Sequence, residues 1–344
     1  MVKVLFVASE RLDYVQECIY HGLQELGADI WPFPSWEKYR KPGNWGKYEA
    51  LTPKPNKNKI NDLTKVDLSS FDKIIIASSW KDVLPVVSYL LKHASKEKIV
   101  FLDGVDDPFL RTRLIGKVGK YYKREMLRKD WAACNYYFAR LWNMIKYNLP
   151  FFKAMLLRPT MMRIYWQGVS SFNVYDDRIL PLQFSIPERL FKAKKSIDIL
   201  FIGTMSSRKR EKVLELVENY AKRNQLKAVT KITSKLSWKE YIELLSSAKV
   251  CISMRGAGMD TFRYWEIPCA GSLLLSEEPL IDIPNNFKDK ESAVFFKSLV
   301  ELEEKLDFLF SNPKVIPKIT KKGREKVLKY HTTKERAKRV LNGR

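Results

Sequence analysis

Short, continuously apolar runs alternate along this chain with longer stretches whose apolar residues recur at helical spacing. Residues 3–8, 71–77 and 98–103 read as strands, and residues 13–26 (closed by Gly27) and 82–96 read as amphipathic helices. Strands that are apolar throughout, and that alternate with helices, predict a parallel sheet covered on both faces. Between them, residues 32–59 are rich in Pro, Trp, Asn and Lys and read as a long loop. The same alternation resumes after a linker at 179–195. Strands are expected at 197–202, 227–233, 250–254, 272–276 and 294–296, with helices at 208–223, 237–248, 260–270, 301–310, 316–330 and 332–341. The fold class that follows is α/β, with two Rossmann-like domains facing each other. The expected divisions are 1–180, 181–331 and a terminal helix over 332–344. Such sheets bind ligands at the carboxyl ends of their strands, which draws attention to the loops after Ile202 and Ser253.

Composition narrows the picture. A length of 344 residues suits two domains, and 45% hydrophobic residues supply two cores. No run of eighteen apolar residues predicts a membrane span, and the N-terminal run reads as a strand rather than a signal peptide. Cys18, Cys134, Cys251 and Cys269 have neither metal-ligand spacing nor a disulfide pattern, so a reducing cytoplasm is expected. The outlier is charge: 62 Lys and Arg against 39 Asp and Glu give +23. That favours anionic partners, or reflects a solvated lysine-rich surface. Residues 111–166 concentrate it, with thirteen cations against two acids among many aromatics. This belt reads as mostly helical, broken near Pro150 and Pro159. It suits an anionic membrane surface, suits single-stranded nucleic acid less well, and equally describes an ordinary helical subdomain. His21 and His93 read as ordinary helix positions, and His331 as part of a break between two terminal helices.

Three stretches carry candidate chemistry. In the first, a strand runs into Arg255, Gly256 and Gly258, and a helix opens at Asp260 or Thr261 and ends near Gly271. A glycine turn entering a helix offers free backbone N–H groups to an anion. Arg263 and Glu266 lie three apart on that helix, close enough to pair. In the second, Gly203 and Thr204 follow a strand, Ser206 or Ser207 is a natural N-cap, and Arg208, Lys209 and Arg210 fill the first helical turn. Cations are disfavoured there by the helix dipole, by about 0.3–1 kcal/mol each, a conflict that a bound diphosphate would resolve. In the third, Asp106 and Asp107 follow the strand ending at Asp103. Either is a candidate base for an acceptor hydroxyl, or a turn cap before Pro108.

Taken together, residues 197–341 resemble the nucleotide-sugar-binding domain of GT-B glycosyltransferases, and within the group 1 families they look most similar to the CgeB-like spore-protein branch. The resemblance rests on Phe201-Ile202-Gly203 with its basic helix, on the run from Gly258 to Glu266 with Ala270-Gly271, and on the tail through Gly323-Arg324-Glu325, His331-Thr332-Thr333 and Arg336-Ala337. It implies a glycosyltransferase that takes a nucleoside diphosphate sugar as co-substrate, without metal or further cofactor. It implies that Glu266 holds the ribose, that Arg208 and Lys209 neutralise the leaving diphosphate, and that the 256–260 loop meets donor phosphate or sugar. It also implies that the last helix returns to the first domain. Many relatives carry a second glutamate eight residues before the ribose-binding one; here that position is Gly258, and Asp260 is the nearest carboxylate. The acceptor is expected to be a glycan or lipid-linked hydroxyl, with the protein cytoplasmic and peripheral on the membrane. The rival expectation is a non-catalytic polyanion-binding protein on the same fold.

Overall fold

The computed structural model describes residues 1–9, 14–34, 58–78, 81–104, 114, 116–125, 174–175, 194–203, 207–230, 236–256, 259 and 261–342. The first sheet holds β1 (Lys3–Val7), β2 (Asp29–Phe33), β3 (Lys73–Ile76), β4 (Ile99–Asp103), β5 (Lys120–Lys123) and β6 (Val174–Tyr175), in the order β2-β1-β3-β4-β5-β6. Every pairing in it is parallel. Helices α1 (Tyr14–Glu25) and α2 (Leu84–His93) supply the crossovers. The second sheet holds β7 (Ile197–Phe201), β8 (Ala228–Val229), β9 (Ala248–Ser253), β10 (Leu273–Glu277) and β11 (Val294–Phe296), in the order β11-β10-β9-β7-β8, again all parallel. Around it stand α3 (Arg208–Arg223), α4 (Trp238–Ser247), α5 (Phe262–Cys269), α6 (Leu299–Ser311) and α7 (Val315–Tyr330). The two Rossmann-like sheets are those the alternation predicts. The division expected at 180/181 lies outside the described residues.

Four strands differ from the sequence expectation. β2 runs into the stretch read as a loop. Its Pro32 is tolerated because β2 is an edge strand, where a missing N–H can face away from the ladder. β5 lies in the belt read as helical. Its tyrosines are both buried but on opposite sides, Tyr121 against Phe101 (ring centroids 5.3 Å apart) and Tyr122 within the cluster around Val4 and Phe6. Period two, not period 3.6, satisfies both rings. β6 pairs with β5 beyond it. The strand expected over 227–233 is confined to Ala228–Val229, and 231–235 lie outside the described residues.

The chain enters the second sheet through Lys195. Its ammonium donates to the Ser246 carbonyl (2.7 Å), the Gly271 carbonyl (2.6 Å) and Ser272 Oγ (3.2 Å), tying the ends of α4 and α5 to the start of β7. Burial lowers its pKa to about 8. At the other end, α7 stops at Tyr330 and α8 (Thr333–Asn342) lies on α1 of the first domain, the return that the resemblance implies. The approach is close: a Cβ on Gly22 would sit 2.1 Å from the Thr333 carbonyl oxygen and 2.8 Å from Ala337 Cβ. Thr333 Oγ1 donates to Glu25 Oε2 and meets His21 Nδ1 (3.1 Å), and Tyr122 Oη donates to the Arg339 carbonyl.

The joint between α7 and α8 is His331, whose side chain is fully buried between Trp265 of α5 and Arg336 of α8. Its Nε2 meets the Asn285 carbonyl at 3.1 Å, so that nitrogen carries the hydrogen. Its Nδ1 accepts from the Arg336 guanidinium at 2.5 Å. Burial, then the charges of Arg336, Arg339 and Lys326, hold its pKa well below the ordinary 6.5. No helix among the described residues is long and apolar enough to cross a membrane.

Candidate functional site

The site is built at the carboxyl ends of β7, β9 and β10. There, an open cleft with about 290 Å³ of empty space is lined by Ser253, Arg255, Thr261, Ser276, Glu277 and Glu278, among others. After β7 the chain passes Gly203 and turns into α3. Ser207 caps it, its Oγ accepting from the Arg210 N–H at 3.4 Å, so the N-cap expectation holds at Ser207. After β9 the chain passes Arg255 and Gly256 and enters α5 with Thr261 as N-cap. Thr261 makes no capping bond; its Oγ1 lies 3.2 Å from Ser253 Oγ. The far end of α5 is closed by the Gly271 turn (φ 76°). There Ser272 N–H donates to the Ile267 carbonyl and Gly271 N–H to the Pro268 carbonyl, a Schellman closure that needs a left-handed residue.

The three cations of the basic turn take three different places. Arg208 is exposed and forms no hydrogen bond or ion pair among the described residues. Lys209 reaches across to Glu277 at the end of β10, Nζ to Oε1 2.6 Å. Arg210 is buried, and one of its terminal nitrogens donates to the Arg255 carbonyl at 2.7 Å and the Met254 carbonyl at 3.4 Å. Arg210 therefore braces the loop after β9 from below. Burial lowers its pKa, the nearby charge of Arg263 lowers it further, and Glu277 works in the opposite direction. Arg255 is half exposed; its backbone N–H donates to Glu277 Oε2 at 3.4 Å and its Nε lies 3.8 Å from Oε1.

Arg263 and Glu266, spaced closely enough on the helix to pair, do not. Arg263 turns back toward α3. Its terminal nitrogen lies 3.5 Å from where a Cβ on Gly203 would be, so Gly203 sits between Arg263 and the Phe201 ring (3.3 Å). The Arg263 Nε is buried with no hydrogen-bond partner. Glu266, one turn deeper, is fully buried and accepts from the Tyr241 hydroxyl at 2.5 Å. Gly256 is less constrained than Gly203, since a Cβ there would meet nothing nearer than 3.8 Å. Thr204, Gly258, Asp260, Asp106 and Asp107 lie outside the described residues.

The first domain meets this loop through a residue that sequence reasoning did not single out. Glu125, just past β5, accepts the Met259 N–H at 3.1 Å through Oε2. Beside it, at the carboxyl ends of β4 and β5, Asp103 and Lys123 form a wholly buried ion pair (3.3 Å), and Tyr121 donates to Asp103 at 2.5 Å. Glu277 was missed as well. Its only local signal is an acid closing the apolar run of β10, at the strand end where ligands bind. Among the described residues no group of three or more His, Cys, Asp or Glu side chains is arranged to hold a metal ion.

Comparison with known proteins agrees with this layout. The family described as Glycosyl transferase-like matches residues 188–342. No curated protein matches the chain in sequence. Among solved structures, a glycosyltransferase from Rickettsia africae is similar over 99% of this chain and 97% of its own, with a TM-score of 0.55 at 12% identity. Anabaena HepE, solved in complex with UDP and glucose, is similar over 100% of this chain and 99% of its own, with a TM-score of 0.51 at 8% identity. At these identities the structural likeness shows the fold alone. Residues 188–342, which hold the basic turn, the α5 loop and the returning helix, match the glycosyl transferase-like family, and the two Rossmann-like sheets follow the GT-B architecture of these solved structures.

Proposed function

We propose that the protein transfers a sugar from a nucleoside diphosphate sugar to a hydroxyl acceptor, with the diphosphate held at the carboxyl edge of the second sheet. The observation that carries this reading is the convergence of basic side chains on one strand edge. Arg208 and Lys209 open α3, Arg255 leaves β9, and Arg263 turns back to the Gly203 turn, with one carboxylate, Glu277, in contact with two of them. Like charges gathered at a helix N-terminus are costly unless an anion joins them. The Anabaena protein of the same fold holds UDP and glucose, the class of ligand proposed here.

As the bond from the anomeric carbon to the diphosphate breaks, positive charge grows on the sugar and negative charge on the leaving phosphate. In this reading Arg208, Lys209 and the N–H groups of α3 receive the negative charge, and Arg263 adds to that field from beside Gly203. Donors of this kind are worth about 3–4 kcal/mol each when removed. Glu266 is assigned to the ribose; its side chain is fully buried on the Tyr241 hydroxyl and does not line the cleft, so this role requires nucleotide binding to draw the carboxylate away from that phenol and into the cleft. Asp106 or Asp107 is assigned to the acceptor hydroxyl, and the basic belt at 111–166 to a membrane-proximal or lipid-linked acceptor.

The test is calorimetry and thermal shift with a panel of nucleoside diphosphates and their sugars, followed by donor hydrolysis. Stabilisation by at least one nucleotide, lost together with turnover in Arg208→Ala and Glu266→Ala, is the expected outcome. Wild-type turnover in either variant removes the site. Stabilisation by none, with steeply salt-dependent binding of RNA or other polyanions, favours the non-catalytic rival. Flotation with anionic vesicles at low salt tests the membrane assignment.

A further inference from the structure

We propose that Glu277 is a built-in competitor of the diphosphate, a carboxylate that holds Lys209 and Arg255 when the cleft is empty and gives them up when a phosphate arrives. The inference rests on the functional reading above and deepens it. Glu277 ends β10 inside the cleft, with its side chain only 13% exposed. Oε1 takes the Lys209 ammonium at 2.6 Å and faces Arg255 Nε at 3.8 Å, and Oε2 takes the Arg255 backbone N–H at 3.4 Å. Both partners belong to the turns assigned to the donor phosphates. Lys209 is 41% exposed and Arg255 50% exposed, so each can swing to another anion without unpacking the core.

An ammonium held at 2.6 Å by a carboxylate has its strongest hydrogen bond already made. A diphosphate must therefore draw Lys209 away from Glu277 before it gains that charge, and it leaves more readily because Glu277 recaptures the ammonium. The carboxylate lowers affinity for donor and product alike, and it keeps the empty cleft from being filled by stray anions. A residue that merely supported the loop would have the opposite signature, since removing it would weaken binding.

The experiment is titration calorimetry of wild type, Glu277→Gln and Glu277→Asp with inorganic pyrophosphate, UDP and GDP, with thermal midpoints recorded alongside. The expected result is binding tighter by about threefold to tenfold in Glu277→Gln, the range set by a partly exposed ion pair and its charge-assisted hydrogen bond. In a Lys209→Met background the gain from Glu277→Gln should shrink, because the ammonium under contest is gone. If Glu277→Gln does not fold, Glu277→Asp carries the test, since its shorter arm loosens the hold and should also tighten binding. Unchanged or weaker binding in these variants overturns the proposal. Pyrophosphate binding without any nucleotide binding would sink the nucleotide-sugar reading while still reporting the competition at Glu277. Binding of neither would overturn both.

Discussion

Replacing His331 by Gln should remove an acid sensitivity built into the joint between the two domains. The wild-type ring is buried in its neutral form, with Nε2–H on the Asn285 carbonyl and Nδ1 turned to the Arg336 guanidinium. Adding a proton would place it on Nδ1, facing Arg336, with Arg339 and Lys326 also contributing positive charge and the Trp265, Phe287 and Tyr330 rings packed nearby. The folded-state pKa is therefore depressed, and in the unfolded chain it returns to about 6.5. Above that pH both states bind no proton and the residue has no pH-dependent effect. As pH falls below 6.5 the unfolded chain takes up a proton that the folded one refuses, and stability falls by about 1 kcal/mol per pH unit. The fall continues until the depressed pKa is reached. A Gln at 331 can still donate to Asn285 and accept from Arg336, but it does not titrate. Urea unfolding of both proteins at pH 7.5, 6.5 and 5.5 measures the difference: the variant should gain about 1 kcal/mol on wild type between the outer two values. Parallel pH profiles would refute the argument, because they would mean that the ring is protonated in the fold or reaches solvent.

Three further outcomes are expected. Gly22→Ala drives a methyl group into the Thr333 carbonyl; overpacking of this kind costs about 1–3 kcal/mol, and hydrogen exchange should rise in α1 and α8 ahead of either sheet. Glu125→Ala frees the Met259 N–H and should raise KM for the donor several-fold, whereas Glu125→Gln keeps an acceptor and restores most of it; equal loss in both variants would show that the charge, not the bond, matters. Lys195→Met strips three acceptors of their donor, at about 1–3 kcal/mol for buried groups left unsatisfied, read as a lower thermal midpoint without a change in nucleotide affinity.

Much of the fold was legible because its signals are local. Buried parallel strands are continuous apolar runs, Ser207 announces the start of α3, and Gly271 announces the end of α5. β5 escaped because Tyr121, Tyr122 and Lys123 sit in a basic aromatic stretch whose composition says nothing of period, and only Phe101 and Asp103 across the sheet reveal the strand. The site was half legible for the same reason. Arg208, Lys209 and Arg263 advertise themselves through their place at helix starts. The carboxylates that meet them do not, since Glu277 lies 68 residues from Lys209 and Glu125 lies 134 from Met259. Their spacing made an Arg263–Glu266 pair possible, but the Tyr241 hydroxyl holds the glutamate while the arginine lies beside Gly203.

The seating of α8 on Gly22 of α1 also bears on how the molecule is made. Residues 3–7, 29–33, 73–76 and 99–103 can assemble their sheet while the chain is still being translated, yet the groove along α1 is filled only by residues 333–342. Until those emerge from the ribosome, the face of α1 at Gly22 that Thr333 and Ala337 cover in the finished protein stays open. A nascent chain stalled before residue 333 would therefore be a natural client for chaperones.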